Sequence, residues 1–263
     1  LTPENVVLAC GILVEAGLVL LLARDRVFRT FPAFFVYLCW SLVDDLLYLI
    51  LQIVAPNAVS FRLFEIQMTL DAIFIFAVLV ELAWNVLRPI RASLPKRSWI
   101  GIAVLVFIAG LILWPIAGLA LPIHLGPEGQ FFVRLQQVPA ILRVVIFFAM
   151  AGFSQLIGIG WRNRELQVAT GLGFYSILSL AITVLHTHQL ATSPQYHWLD
   201  QLGAAGYFCA LAYWVVAFAT KEAERQNFSP QMANFLLLIG GTAKAGRVAM
   251  ADYTVTKSRF KDR

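Results

Sequence analysis

Asp44 and Asp45 are neighbouring carboxylates in the middle of the apolar run 37–52, YLCWSLVDDLLYLILQ. Carboxylates in such a setting can hold a proton, a cation or a cationic ligand. The polar residues of the run are Tyr37, Ser41, Asp44, Asp45, Tyr48 and Gln52. Their spacing of three or four predicts one stripe along a helix, with Leu and Ile filling the remaining face. A charge at bilayer depth costs roughly 2.5 to 3.5 kcal/mol on insertion scales, so the stripe should face the interior of a bundle.

Counting about 1.5 Å of rise per residue along the other apolar stretches brings Glu15, Asp71 and Arg143 to the same depth as Asp44 and Asp45. Four acids then face one base. Full ionisation of that set cannot persist in low dielectric, so protons, a bound cation or a cationic ligand must make up the difference. At least one of Asp44 and Asp45 is therefore expected to be protonated or cation-bound. In the competing reading Arg143 pairs with one Asp, and the other acids are protonated and hydrogen-bonded, locking helices together. Companion stripes accompany the acids: Gln67, Asp71 and Asn85 flanked by Glu81; Gln136, Arg143 and Ser154 around Pro139; Ser176, Ser179, Thr183 and His186. The expected ligand- or ion-binding set is Glu15, Asp44, Asp45, Asp71, Arg143, Ser179, Thr183 and His186. Glu81, Asn85 and Arg88, spaced i, i+4, i+7, predict an ionic latch or a simple surface salt bridge.

The elements that must carry these groups are membrane helices. Of 263 residues, 60% are hydrophobic and 13% charged, outside the range of soluble domains. Seven apolar stretches are long enough to cross about 30 Å of hydrocarbon, at 5–23, 31–54, 61–87, 99–121, 131–160, 166–190 and 198–220. The first lacks a basic leader and a small-residue cleavage site, and is expected to stay as a span. The expected fold is all-α, a seven-helix polytopic bundle over 1–220 followed by a basic tail over 221–263. Arg24, Arg26 and Arg29 follow the first stretch, Arg88, Arg91, Lys96 and Arg97 the third, and Arg162 and Arg164 the fifth; eight more basic residues follow the seventh. By the positive-inside rule these are cytoplasmic, which places the amino terminus outside and the carboxyl terminus inside. Pro56-Asn57 and Gly126-Pro127-Glu128-Gly129 are then external turns.

The fourth stretch has no ionisable group and should be the most lipid-exposed helix, kinked at Trp114-Pro115. Gly203, Gly206 and Ala210 at helical spacing predict close helix contact. In the tail, Ser229-Pro230 and the apolar segment 232–239 predict a short interfacial helix, stopped by Gly240-Gly241.

Several function classes lose support. The net charge of +5 is spread over short loops that meet anionic lipid, so nucleic acid is not an expected partner. Cys10, Cys39 and Cys209 lie inside spans, with no Cys-x-x-Cys pair, and read as packing residues. Glu65, Arg134, His186, His188 and Asp200 form a second polar group near the outer face. His186 and His188 diverge by about 200° on a helix and cannot chelate one metal together unless the helix has frayed there. The last span has no lysine at its centre for a retinal Schiff base. Gly-x-Ser-x-Gly, His-Glu-x-x-His and a His-x-x-x-His zinc pair do not occur, so no motif supports an enzyme and none names a cofactor.

Phe31-Pro32-Ala33-Phe34-Phe35-Val36-Tyr37, Glu81, Ile159-Gly160-Trp161-Arg162 and Thr170-Gly171-Leu172-Gly173-Phe174 resemble a group of uncharacterised bacterial seven-helix integral membrane proteins. The resemblance implies the seven-helix topology alone and carries no function; the expected location is the bacterial inner membrane, multi-pass. The residues themselves favour a membrane sensor or binding protein with a central polar cavity, signalling through a separate cytoplasmic or membrane protein partner that its loops and basic tail engage. A proton- or cation-coupled transporter using Asp44, Asp45 and Asp71 is the second reading. A structural subunit of a larger membrane complex is the third.

Overall fold

The computed structural model describes residues 3–54, 61–87, 97–118, 126–154, 161–186 and 194–220. Seven α-helices occupy them: α1 (Pro3–Arg24), α2 (Pro32–Val54), α3 (Phe61–Val86), α4 (Ser98–Ala117), α5 (Pro127–Gly152), α6 (Arg164–His186) and α7 (Pro194–Ala219). A single 3-10 turn, Val27–Arg29, joins α1 to α2. No strand occurs among the described residues. Six of the helices, α2 to α7, are long and apolar enough to cross a membrane, which makes this a multi-pass protein of the lipid bilayer. α1 is 22 residues long and packs against α2 and α7. The tail, 221–263, and with it the expected interfacial helix, lies outside the described residues.

Helix starts follow local chemistry. α5 begins four residues earlier than the hydropathy pattern predicts, because Gly126 takes the N-cap position and Pro127 the first helical one. Gln130 N–H donates to Gly126 O at 3.0 Å, closing the first turn. Of the expected 126–129 turn, only Gly126 is outside the helix. Pro115 falls in the last turn of α4 and is followed at once by the helix end at Ala117, so it helps to terminate the helix rather than to bend its middle.

Among the described residues α1, α2, α3, α5, α6 and α7 form a closed ring in which each packs against the next and α7 returns to α1. α4 lies outside the ring against α3 and α5, with Leu105, Phe107 and Ile112 each at least 60% exposed, as its lack of polar groups requires. Glycines permit the closest approaches. At Gly171 a Cβ would collide with the Trp214 ring, and at Gly206 with Leu178, so α6 and α7 meet backbone to side chain. Cys10 and Cys209 are exposed, not packed within the bundle, and Cys39 is half-buried. Their modest polarity is tolerated at an apolar surface, which is why apolar context alone misplaces them.

The bundle is polarised along its axis. At one end the start of α2, the end of α3, the start of α6 and the ends of α1 and α7 converge on a dry core that includes Leu22, Phe34, Leu82, Leu166, Trp214 and Phe218. Phe34 lies 5.2 Å edge-on from Trp214 and stacks on Phe218 at 6.1 Å. Arg164 closes this end by donating to the carbonyls of Ala217 at 2.7 Å, Phe218 at 3.3 Å and Thr220 at 2.9 Å, at the end of α7 where the helix has no further N–H groups to offer; Ala217 O also accepts the Thr220 hydroxyl at 2.7 Å.

Of the expected latch on α3, Glu81 and Asn85 serve the start of α2. Glu81 accepts the backbone N–H groups of Ala33 and Phe34, both at 2.9 Å, and Asn85 donates to Thr30 O at 3.0 Å. α2 starts behind Phe31, which has no side-chain oxygen to cap its first N–H groups, so α3 supplies the cap from across the bundle. Arg88 lies outside the described residues.

Candidate ligand-binding cavity

Above the dry core the ring opens into a polar cavity of about 370 Å³. α2 contributes Tyr37, Ser41, Asp44 and Asp45; α3 contributes Gln67 and Asp71; α5 contributes Gln136, Pro139 and Arg143; α6 contributes Tyr175 and Ser179; α7 contributes Gly203 and Tyr207. Five of the eight residues expected from sequence, Asp44, Asp45, Asp71, Arg143 and Ser179, therefore line one space.

The remaining three are placed differently. Glu15 on α1 is fully buried behind the wall. Ser41 Oγ donates to its Oε1 at 2.8 Å, and the Tyr207 hydroxyl donates to the same oxygen. These bonds tie α1 to α2 and α7. Asp45 lies close enough to Glu15 to feel its charge. Thr183 and His186 are beyond the lining, further along α6. Thr183 donates back to the Ser179 carbonyl at 2.9 Å, a local bond that takes up its hydroxyl. Ser176, expected on the same face, is completely buried, and its Oγ has no partner among the described residues. The stripe on α2 also ends early: Tyr48 is 45% exposed and has left the bundle.

Among the lining acids, Asp44 accepts a hydrogen bond from Gln67 Nε2, which fixes it to α3. Asp71, on the helix between α2 and α5 in the ring, interacts electrostatically with both Asp44 and Arg143. Arg143 is only 6% exposed, and its Nε is buried with no hydrogen-bond partner among the described residues. Its guanidinium carbon stands 6.0 Å from the centre of the Tyr175 ring, and Tyr207 meets that ring edge-on at 5.4 Å. Pro139 has no N–H to offer the carbonyl of Leu135, one turn earlier on α5, and both residues line the cavity.

Three aspartic acid side chains and one guanidinium line the same cavity, groups whose chemistry can take a proton or a cation and can donate to an anion. Tyr175 and Tyr207 are absent from the stripes read from sequence. A tyrosine on an apolar helix reads equally well as lipid-facing, and only the packing of α6 on α7 turns both inward. Gly206, next to Tyr207, was the one available signal, since close contact at Gly206 directs its neighbours toward the ring. Comparison of the chain with protein-family models, with curated proteins and with solved structures returns no match.

Proposed function

We propose that the chain is a seven-helix receptor-like protein of the bacterial inner membrane that binds a small ligand or cation in this cavity and reports occupancy to a separate protein. With the amino terminus outside, as the loop charges imply, the cavity belongs to the outer half of the membrane and the dry core to the cytoplasmic half. The observation that carries the reading is the meeting of charged and polar side chains from five helices around one space, next to a packed apolar plug. A polar cavity that ends on a packed apolar core suits sensing. The plug joins the ends of α2, α3, α6 and α7, where a change in helix position would reach the basic loops and the tail.

Coupled transport is the second reading, and one arrangement favours it. Ser41 and Tyr207 on the cavity wall hydrogen-bond to Glu15 behind it, with Asp45 alongside, a chain of groups through which a proton could leave the cavity.

The test is thermal stability of the detergent-solubilised protein across pH and across added monovalent and divalent cations, for wild type, Asp44→Asn and Asp45→Asn. A pH- or cation-dependent shift in wild type that both variants lose supports a site. Identical melting of all three under every condition would leave the acids as scaffold and favour the structural-subunit reading.

A further inference from the structure

The charges of the cavity specify more than a cation. The acids do not converge: among the described residues no three His, Cys, Asp or Glu side chains stand together as a metal ion would need. They are spread from Asp45 and Asp44 on α2 through Asp71 on α3, and next in the ring comes Arg143 on α5. A ligand that satisfies this wall must extend along it. At the α2 end it meets carboxylates. At the α5 end it meets a guanidinium that is more than nine-tenths buried, lines the cavity, and has an unpartnered Nε. Asp71 is shared between Asp44 and Arg143, so a purely cationic ligand that takes Asp71 leaves Arg143 without a counter-charge, and a purely anionic one would face the three aspartates. A molecule that carries charge of both signs answers both ends.

We propose that the cavity binds a small amine-bearing carboxylate, of amino-acid size, with its ammonium on the Asp44 and Asp71 wall and its carboxylate on Arg143. The volume of about 370 Å³ equals that of about a dozen waters, which sets the scale of the ligand. The guanidinium fork suits a carboxylate bidentately, as a lysine would not. This assignment rests on the reading of the cavity as a binding site, and it names the ligand class.

The experiment is a melting screen of the full-length protein in detergent. The probes are the standard α-amino acids, γ-aminobutyrate and glycine betaine, which carry both charges; choline and ethylamine, which carry only the cation; and propionate, which carries only the anion. Sodium, potassium and pH series run in parallel. At about ten times its dissociation constant a binding probe raises the midpoint by about 3 to 5 °C. The expected result is a shift with at least one probe carrying both charges and a much smaller one with either half alone. Arg143→Lys, which keeps the charge and loses the fork, should narrow that preference at least tenfold in apparent affinity. If choline or ethylamine stabilises as well as every amine-bearing carboxylate, or if Arg143→Lys leaves the preference unchanged, the ligand class is overturned. If only cations or pH move the midpoint and Asp44→Asn abolishes the effect, the ligand class fails while the site stands. If nothing moves it, both fail.

Discussion

Replacing Glu81 should loosen the start of α2 by an amount the structure sets. The carboxylate accepts two backbone N–H groups, from Ala33 and Phe34, each at 2.9 Å. Pro32, ahead of them, has no N–H, and the next donor, Phe35 N–H, already reaches Phe31 O at 3.0 Å. Glu81 thus satisfies both orphan donors of the first turn, and its charge lies at the positive end of the helix dipole. Hydrogen bonds to a charged group contribute about 1.5 to 3 kcal/mol each when one partner is removed. Intramembrane side-chain bonds fall lower, about 0.6 to 1.7 kcal/mol, because the unfolded chain in the membrane finds other partners. A value near 1.5 kcal/mol per bond predicts about 3 kcal/mol lost in Glu81→Ala. Glu81→Gln keeps one acceptor oxygen and should lose about half as much. Denaturant titration of the purified protein gives the free energies, and amide hydrogen exchange at Ala33 and Phe34 gives the location. Both variants falling within about 0.5 kcal/mol of wild type, with exchange at those two amides unchanged, would refute the capping argument.

Gly171→Ala should cost about 3 kcal/mol, because its Cβ would enter the indole of Trp214, itself 2% exposed and held by its Nε1–H donating to Gln167 O at 3.3 Å. Gly17→Ala, with nothing within 4 Å of the new Cβ, should be neutral or slightly stabilising in the same titration. Arg164→Ala should lower stability by about 2 to 4 kcal/mol through loss of three carbonyl contacts at the end of α7, and Arg164→Lys should recover part of it; equal stability of both with wild type would count against that role. Single cysteines at positions 57 and 258, labelled from either side of the membrane in a background without native cysteines, should show opposite accessibility. Labelling of both from one side would overturn the proposed orientation.

Much of this architecture is written in the chain's simplest property, the length of its apolar runs. Six helices lie within a few residues of the stretches read by hydropathy. Gly126-Pro127 starts α5 four residues early, and α5 ends at Gly152, residues 155–160 of the expected run lying outside the described residues. The acids were legible for a related reason: Asp44, Asp45 and Asp71 cannot face lipid, so burial dictates that they point inward. Rotational phase was not legible for weakly polar groups. Thr183 satisfies its hydroxyl on its own helix, so its presence on a stripe said nothing of a site. Tyr48 sits on the same stripe as Asp44 yet faces outward. Glu81 illustrates a signal that sequence periodicity overlooks. Phe31 followed by Pro32 announces a helix start without its own cap, and the missing acceptor had to come from elsewhere in the bundle.

Whether the space among α2, α3, α5, α6 and α7 is a wet, occupiable site is tested most directly by thiol modification on α6. In a background without Cys10, Cys39 and Cys209, a cysteine at Ser179, which lines the cavity, is compared with one at Ile177, which is 41% exposed on the apolar surface. A small hydrophilic methanethiosulfonate reacts with thiolates, which form in water and not in hydrocarbon. Ser179→Cys in membranes should react at least tenfold faster than Ile177→Cys, and Asp71→Asn should alter that rate by changing the charge in the same cavity. Equal, slow modification at both positions would mean that the cavity is closed to water and ligand, and would contradict the proposal of a central binding site.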